Sequence, residues 1–474
     1  MLTRTPTQSL TAQLADRFAE RIRNRLLAPG ARLPSVRECA RQQGVSPHTV
    51  VAAYDQLLAQ GMVEARKQRG FYVRDTLPRQ SQDVVTERDA SAALKPLAVP
   101  GVPADASALI RGMFHRQSDK PQPGMGVFPP DWMESTFMPV SVRRLTSTRA
   151  LQELSLQYGE PAGDSALRRS LSQKLASINV SASPDQIITT IGATHALDIV
   201  SRTLLRAGDP VMVEEPGWAI EFARLESLGM RILPVPRRAD GPDLDVMARY
   251  CEVHQPKLFV SVSVLHNPTG YSLTPGSAHR VLKLASEHDF HIVEDDTYSH
   301  LAPEHATRLS ALDGLQRTIY VSGFAKILAP NWRIGFMAAS PAVFSRLLET
   351  KLLTTLTTPA LFERALAWCI DQGQLRRHAD RIRLRLDGAR ARAVKLALGH
   401  GCTFVSEPAG LFGWVDTGTD TDALTQRMLD EGYLMAPGSL FYARRPPSTL
   451  MRINFATAQD ATFWKTFARV RDSV

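Results

Sequence analysis

Apolar residues recur at four-residue intervals near the start of the chain, at Leu10, Leu14, Phe18, Ile22 and Leu26. The spacing predicts one face of an amphipathic helix, which Pro29-Gly30 should end. A second helix is expected from Ser35, with Glu38 three residues on forming a capping box, and should stop at Gly44. Ser46 then caps a third helix, where Pro47 is tolerated because a first-turn N–H has no helical partner. Val50, Tyr54, Leu57 and Leu58 give that helix its buried face, and Gly61 closes it. Met62-Val63 and Phe71-Tyr72-Val73 flank the polar span from Glu64 to Gly70, the pattern of a β-hairpin. Three short helices and a hairpin make a winged helix-turn-helix, expected over residues 1–75.

Beyond it the pattern changes. Residues 76–118 hold scattered prolines, many Ser, Ala and Asp, and no sustained periodicity, which predicts a linker with one short helix near Leu109–Phe114. From 119 onward, helical stretches alternate with the short apolar runs Ile187-Ile188, Val211–Val213, Phe259–Val264, Ile292-Val293 and Ile319–Val321. Such alternation predicts an α/β domain with a mostly parallel sheet.

Size and composition fit this multidomain division. At 474 residues the chain exceeds one ordinary core, and 44% hydrophobic with 22% charged residues describes a soluble globular protein. The chain shows no run of 18 or more apolar residues and no signal-peptide pattern, so no membrane partner is expected and the cytoplasm is the expected compartment. Cys39, Cys251, Cys369 and Cys402 lie far apart, which predicts buried thiols rather than disulfides or a metal site. The net charge of +9 is uneven: residues 1–75 hold 12 Lys/Arg against 6 Asp/Glu, and all the rest share only +3. A basic head on a nearly balanced body points to a polyanion as the head's partner.

A helix capped by Ser46 can enter the major groove with its first residues facing base edges, which makes Ser46, His48 and Thr49 candidate DNA contacts. Arg37 on the preceding helix, and Arg66, Lys67 and Arg69 in the wing, can reach phosphates or the minor groove. A protein-interaction module is the other reading of the same elements. Order and spacing from Leu10 to Val73 resemble the GntR family, most closely at Pro29-Gly30-x-Arg32-Leu33-Pro34-Ser35-Val36-Arg37-Glu38 and at Gly44-Val45-Ser46 with Thr49-Val50. The resemblance implies a double-stranded DNA operator. Where that family often has a DNA-contacting Arg after the Ser, this chain has Pro47, so a different base preference is expected.

The strongest chemical signal is Lys326, just beyond the apolar run that starts at Ile319. Burial and neighbouring charge can lower such an amine's pKa and let it form a Schiff base with an aldehyde. Arg333, seven residues on, could face a phosphate. Ala193 and Thr194 open a helix after the run at Ile187, where backbone N–H groups favour a phosphate. Trp218 could stack on a pyridine and Asn267 could donate to its ring oxygen, sharing it with Tyr298. Asp295 could keep a pyridine nitrogen protonated and preserve its electron sink. Arg452 suits bidentate capture of a carboxylate. His195 and His266 border this set as packing and hydrogen-bonding residues more readily than as proton carriers.

Together these residues resemble fold-type I, class I/II aminotransferases over about 119–474, with a smaller C-terminal α+β subdomain from about 345. The resemblance implies pyridoxal 5'-phosphate as cofactor. It also implies a homodimer, because Tyr158 of the Tyr158-Gly159-Glu160-Pro161-x-Gly163 stretch matches a tyrosine that reaches a neighbouring subunit's cofactor phosphate. Family members usually carry serines three and one positions before the lysine; here Gly323 and Ala325 stand there, so phosphate binding should lean on Arg333, Thr194 and backbone amides. Head and body together resemble the MocR subfamily. That layout implies a transcription regulator in which an amine, an amino acid or the cofactor itself, acting at Lys326, controls operator binding. A catalytically active aminotransferase with an appended head, and a scaffold that has lost its cofactor, are the two other readings.

Overall fold

The computed structural model describes residues 9–23, 27, 30–66, 70–74, 120–146 and 148–474. It divides the chain into two compact units, Met1–Gln117 and Ser118–Val474. Arg69 and Lys67 of the expected wing, the linker at 76–118 and its expected short helix lie outside the described residues.

The first unit holds α1 (Leu10–Arg23), α2 (Val36–Gln43), α3 (Pro47–Ala59), β1 (Val63–Arg66) and β2 (Gly70–Val73). The strands pair antiparallel with Val63 opposite Val73. Ser35 Oγ accepts from the Glu38 N–H at 3.3 Å and Ser46 Oγ from the Thr49 N–H at 3.1 Å, which satisfies one free donor at each helix start. Gly44 ends α2 at φ +65°, a left-handed conformation that costs glycine little. The core is built from Leu14, Phe18, Val50, Tyr54, Leu57 and Val63. Tyr54 meets Phe18 and Phe71 edge-on at 5.6 and 5.1 Å, and its hydroxyl donates to Pro34 O at 2.9 Å. Leu58, expected in this core, is 39% exposed. It stands one residue off the stripe of Val50, Tyr54 and Leu57, and so about 100° around the helix from Leu57.

The second unit is built on a seven-stranded sheet ordered β3-β9-β8-β7-β6-β4-β5. Its strands are β3 (Ile187–Thr190), β4 (Pro210–Glu215), β5 (Arg231–Pro236), β6 (Leu258–Ser261), β7 (His291–Asp295), β8 (Thr318–Gly323) and β9 (Gly335–Ala338). Only β9 runs against its neighbours. Both faces are covered: Val211, Val260 and Val293 enter one core, Met212, Phe259 and Ile292 the other. That is why these strands read as unbroken apolar runs. The run from Phe259 was expected to stay extended to Val264, but the strand stops at Ser261 and the rest is loop. Two strands carried no sequence signal. β5 contains Pro234 and Pro236, tolerable because it is an edge strand; β9 is four residues long and starts on glycine.

A second, antiparallel sheet is ordered β10-β11-β13-β12, from β10 (Thr403–Phe404), β11 (Phe412–Asp416), β12 (Ala436–Pro437) and β13 (Leu450–Asn454). A 26-residue helix, Gln374–Gly399, precedes it. Among the described residues no helix is long and apolar enough to cross a membrane, no group of three metal-ligating side chains occurs, and all four cysteines are buried and outside any disulfide.

Candidate ligand site and DNA-facing surface

The carboxyl ends of β3, β4, β6, β7 and β8 share one edge of the large sheet, the place where open α/β sheets bind ligands. Lys326 lies three residues past β8, and burial, with the Arg452 cation nearby, pushes its amine down to about 8. Its Nζ donates to Gly126 O at 2.7 Å. Asp295, the last residue of β7, accepts from the Thr297 N–H at 3.0 Å and from the Thr297 hydroxyl. Burial lifts its carboxyl to about 6, against the pull of those hydrogen bonds. Tyr298 is buried edge-on to Phe412 at 5.7 Å, and burial raises its phenol so that it stays protonated, a donor.

Arg452 sits inside β13 rather than at a strand end, opposite Ala436 of β12. It is 4% exposed and lies 4.3 Å from the Phe412 ring and 5.2 Å from the Phe441 ring. Nη1 donates to Asn267 Oδ1 at 3.0 Å and Nη2 to Gly124 O at 2.6 Å, while the buried Nε finds no acceptor among the described residues. Burial lowers this guanidinium to about 10, so it stays charged at neutral pH. Its partners among the described residues are an amide oxygen, a backbone carbonyl and two rings, and a buried cation held only by neutral groups is a preformed receptor for an anion.

The region around Gly192, where the sequence leads one to expect a phosphate, is built from backbone. Gly192, at φ +86°, caps the helix Ala193–Leu204, and Arg333 Nη2 donates to Ile191 O at 3.0 Å beside it. A Cβ on Gly192 would stand 2.7 Å from Arg333 Nη2. One on Gly323 would stand 3.3 Å from Ala193 N and 3.4 Å from Ile334 O. The glycine that replaces the family serine thus lets the helix start, with its unpaired N–H groups, close onto the end of β8. Thr194 and Trp218 are half-buried at the starts of their helices. His195 binds through both nitrogens, accepting from the Ile191 N–H at 3.1 Å and facing Thr355 Oγ1 at 2.9 Å. His266 holds Thr269 Oγ1 at 2.9 Å and is buried with its pKa pushed well down by desolvation. Both histidines are engaged in hydrogen bonds within the protein. Tyr158 is 81% exposed, far more than a residue serving this chain's own site would be.

Sequence reasoning missed the strap that crosses this site. From Gln122 to Phe128 the backbone runs over the small sheet: the Gly124 N–H donates to Leu434 O at 2.8 Å, and Asn454 Nδ2 donates to Met125 O and Val127 O at 2.9 and 2.7 Å. Its carbonyls at Gly124 and Gly126 are the acceptors already named for Arg452 and Lys326. A Cβ on Gly126 would lie 3.4 Å from Phe412, 3.5 Å from Lys326 Nζ and 3.9 Å from Arg452 Nη1. The missing side chain leaves space at the meeting point of both cations. The glycine spacing was the one visible sign.

On the head, Arg37, Ser46 and His48 are exposed and Thr49 is half-buried against the Ser46 hydroxyl at 2.8 Å. Arg66 is already engaged, paired with Glu64 at 2.7 Å and lying 4.4 Å over the Tyr72 ring. At 50% and 40% side-chain exposure this pair contributes little to stability and can be exchanged for a phosphate.

Together the two units define a DNA-binding head carried on an aminotransferase-type body. Residues 130–468 match the aminotransferase class I and II family, and residues 10–73 match the bacterial regulatory proteins of the gntR family. The chain is 31% identical to the probable rhizopine catabolism regulatory protein MocR of Rhizobium meliloti, over 78% of this chain and 73% of that protein. It is 27% identical to the uncharacterized HTH-type transcriptional regulator YdcR of Escherichia coli strain K12, over 94% of each chain. The kynurenine aminotransferase of Pyrococcus horikoshii, solved with PMP, superimposes with a TM-score of 0.71 at 26% identity, over 80% of this chain and 96% of that one. The chain belongs to the class I and II aminotransferase family and, with its GntR head, is a regulator of the MocR type.

Proposed function

We propose that the body binds pyridoxal 5'-phosphate, and that an amine, an amino acid or the cofactor itself, acting at Lys326, sets how tightly the head grips operator DNA. The residues present fit the cofactor. Lys326 would hold its aldehyde, Asp295 its ring nitrogen, and Asn267 with Tyr298 its ring oxygen; Trp218 would cover the ring, and the Ala193 and Thr194 amides with Arg333 would take the phosphate. When bound, the cofactor would supply an electrophilic carbon that exchanges amines. Arg452 would take a ligand carboxylate. The functional division is a head at 1–75, a linker at 76–118 and a body at 119–474.

The observation that carries this reading is the double use of two cations. Lys326 and Arg452 each donate to a carbonyl of one strap, and that strap continues directly from the segment leading out of the head. A lysine nitrogen joined to an aldehyde keeps at most one N–H, so Lys326 would no longer hold Gly126 as it does here, while Arg452, whose Nε has no acceptor among the described residues, can meet a carboxylate beside the strap. A ligand that engages both therefore acts on the strap chiefly through Gly126, and its differential affinity for the held and released strap is what can shift the head.

The protein would act as a homodimer. Exposed Leu156 and Tyr158, and Leu353 at 90% exposure, support that reading because such apolar surface favours a partner. A reader of operator DNA would work in the cytoplasm. The test is titration of purified protein with amines and amino acids, following cofactor absorbance and operator binding together. Operator affinity should move with absorbance in the parent and stay fixed in Lys326→Ala. Absorbance changes without any change in DNA binding would count against the reading. Because Lys326, Asp295 and Arg452 are all in place, full transamination is the second reading. Steady multiple turnover with an amino acid and a keto acid, without effect on DNA, would favour it.

A further inference from the structure

Charge in the body is more segregated than its total suggests. Residues from 76 onward sum to +3, yet Gln374–Gly399 alone holds Arg376, Arg377, Arg381, Arg383, Arg385, Arg390, Arg392 and Lys395 against Asp380 and Asp387. This one helix therefore carries +6, and everything else from 76 onward is net −3. Near-neutrality here is a cancellation between one strongly basic element and an acidic remainder.

The helix also sorts its charges by face. At about 100° per residue, both aspartates fall on one side with Arg383 and Arg390, which they bind. Arg377, Arg381, Arg385, Arg392 and Lys395 fall within a sector of roughly 80° on another side, and all five are exposed. Three of them are steadied by neutral acceptors: Arg377 donates to Gln372 O at 2.8 Å, Arg381 to Glu134 O at 2.9 Å and Arg392 to Gln459 Oε1 at 2.8 Å. Among the described residues only Arg385 of the five meets a carboxylate, Asp131 at 2.6 Å, and it is braced 4.4 Å over the Trp132 ring. Gly388 falls in the same stripe with nothing near its Cβ position, so no side chain interrupts it. From Arg377 to Lys395 the row runs about 27 Å.

We propose that this stripe is a second DNA-contact surface, which holds the phosphate backbone of DNA already captured by the head. The row is as long as about eight base-pair steps of duplex, along which phosphates recur every ~3.4 Å on each strand. Three of its five side chains are positioned by neutral contacts that leave their charge uncompensated, the arrangement suited to phosphates rather than bases. The head gives this partner priority over an acidic protein, because a tethered duplex sits near the body at high effective concentration. The proposal rests on the head binding DNA, and it makes flanking sequence matter as charge, without base preference.

The test compares the full chain with Arg377→Gln/Arg392→Gln/Lys395→Gln on two duplexes, one bearing only the head's site and one with added flanks. These three positions spare Arg381 and Arg385, which brace the neighbouring helix. On flanked DNA the parent should bind more tightly than on the short duplex. The triple variant should lose that excess, with the slope of log affinity against log salt falling by about 2 to 3, near 0.9 per phosphate contact. The charge-retaining Arg377→Lys/Arg392→Lys/Lys395→Arg should behave like the parent, and unchanged cofactor absorbance in both variants reports an intact body. Equal salt slopes for parent and triple variant on flanked DNA would overturn the proposal, and so would weakened binding by an acidic protein with DNA unaffected. Failure of all forms to bind either duplex would instead overturn the reading of the head.

Discussion

The head and the body both answer to anions, but they place their cations oppositely. In the head, Arg37 and Arg66 lie at the surface over a small core of Leu14, Phe18, Tyr54 and Leu57. In the body, Lys326 and Arg452 are drawn inside, where burial lowers both pKa values. Exposed cations suit a long polyanion, because each contact is weak, screened by salt and repeated. Buried cations suit one small ligand: desolvation has already been met in folding, so an arriving carboxylate finds an oriented and unscreened partner. Position relative to water, more than residue type, separates the two kinds of recognition.

The sharpest way to break this contrast is to remove one side of it. Tyr54→Ala empties the centre of the head's core, where Phe18 and Phe71 meet the ring, and should cost about 3–5 kcal/mol. DNA binding in a mobility-shift assay should vanish while cofactor absorbance persists; loss of both together would mean the units do not fold independently. Arg452→Gln should come next. It removes a charged donor from a carboxylate, so affinity for amino acids should drop roughly ten- to hundredfold while simple amines are little affected, as read by spectral titration. A uniform loss for both classes would place the carboxylate elsewhere.

Protonation separates the buried amine from the exposed cations of the head. Lys326 has its amine lowered from 10.5 to about 8, and only the neutral amine attacks an aldehyde. A lowered pKa means the neutral form dominates above pH 8, so capture of added pyridoxal phosphate should speed up roughly tenfold per unit below that point and level off above it. A rise continuing toward pH 10 would show the amine to be solvated. Gly323→Ser should do least. The new Cβ would press on Ala193 N at 3.3 Å, so any hydroxyl contact with the phosphate comes at the expense of the helix start. A change of only a few-fold in cofactor affinity is expected at equilibrium dialysis. A gain far beyond that would show that Arg333 and the backbone amides are not enough.

Much of this was legible in the sequence because the informative residues sit where local rules are strong. Ser35 and Ser46 announce helix starts, and Lys326 and Asp295 follow apolar runs whose buried faces fix them as strands. What was hidden has a common cause. The strap acts through backbone carbonyls at Gly124 and Gly126, and carbonyls carry no residue-type signal. Its partners lie some 200 and 328 positions away. β5 was masked by its own prolines, permissible only because tertiary structure puts it on an edge. The basic helix was masked by averaging, since an acidic remainder cancels it in any sum over the body.

Ligands reach the head by changing what Lys326 and Arg452 give the strap. Amide hydrogen exchange at Gly124, Met125 and Gly126 reports whether the strap is held, with the protein carrying pyridoxal phosphate and an effector amino acid added or withheld. Exchange there should change on adding the amino acid in the parent and stay constant in Lys326→Ala. A strap equally protected in both states, in a protein whose operator affinity nevertheless responds to the amino acid, would contradict the account.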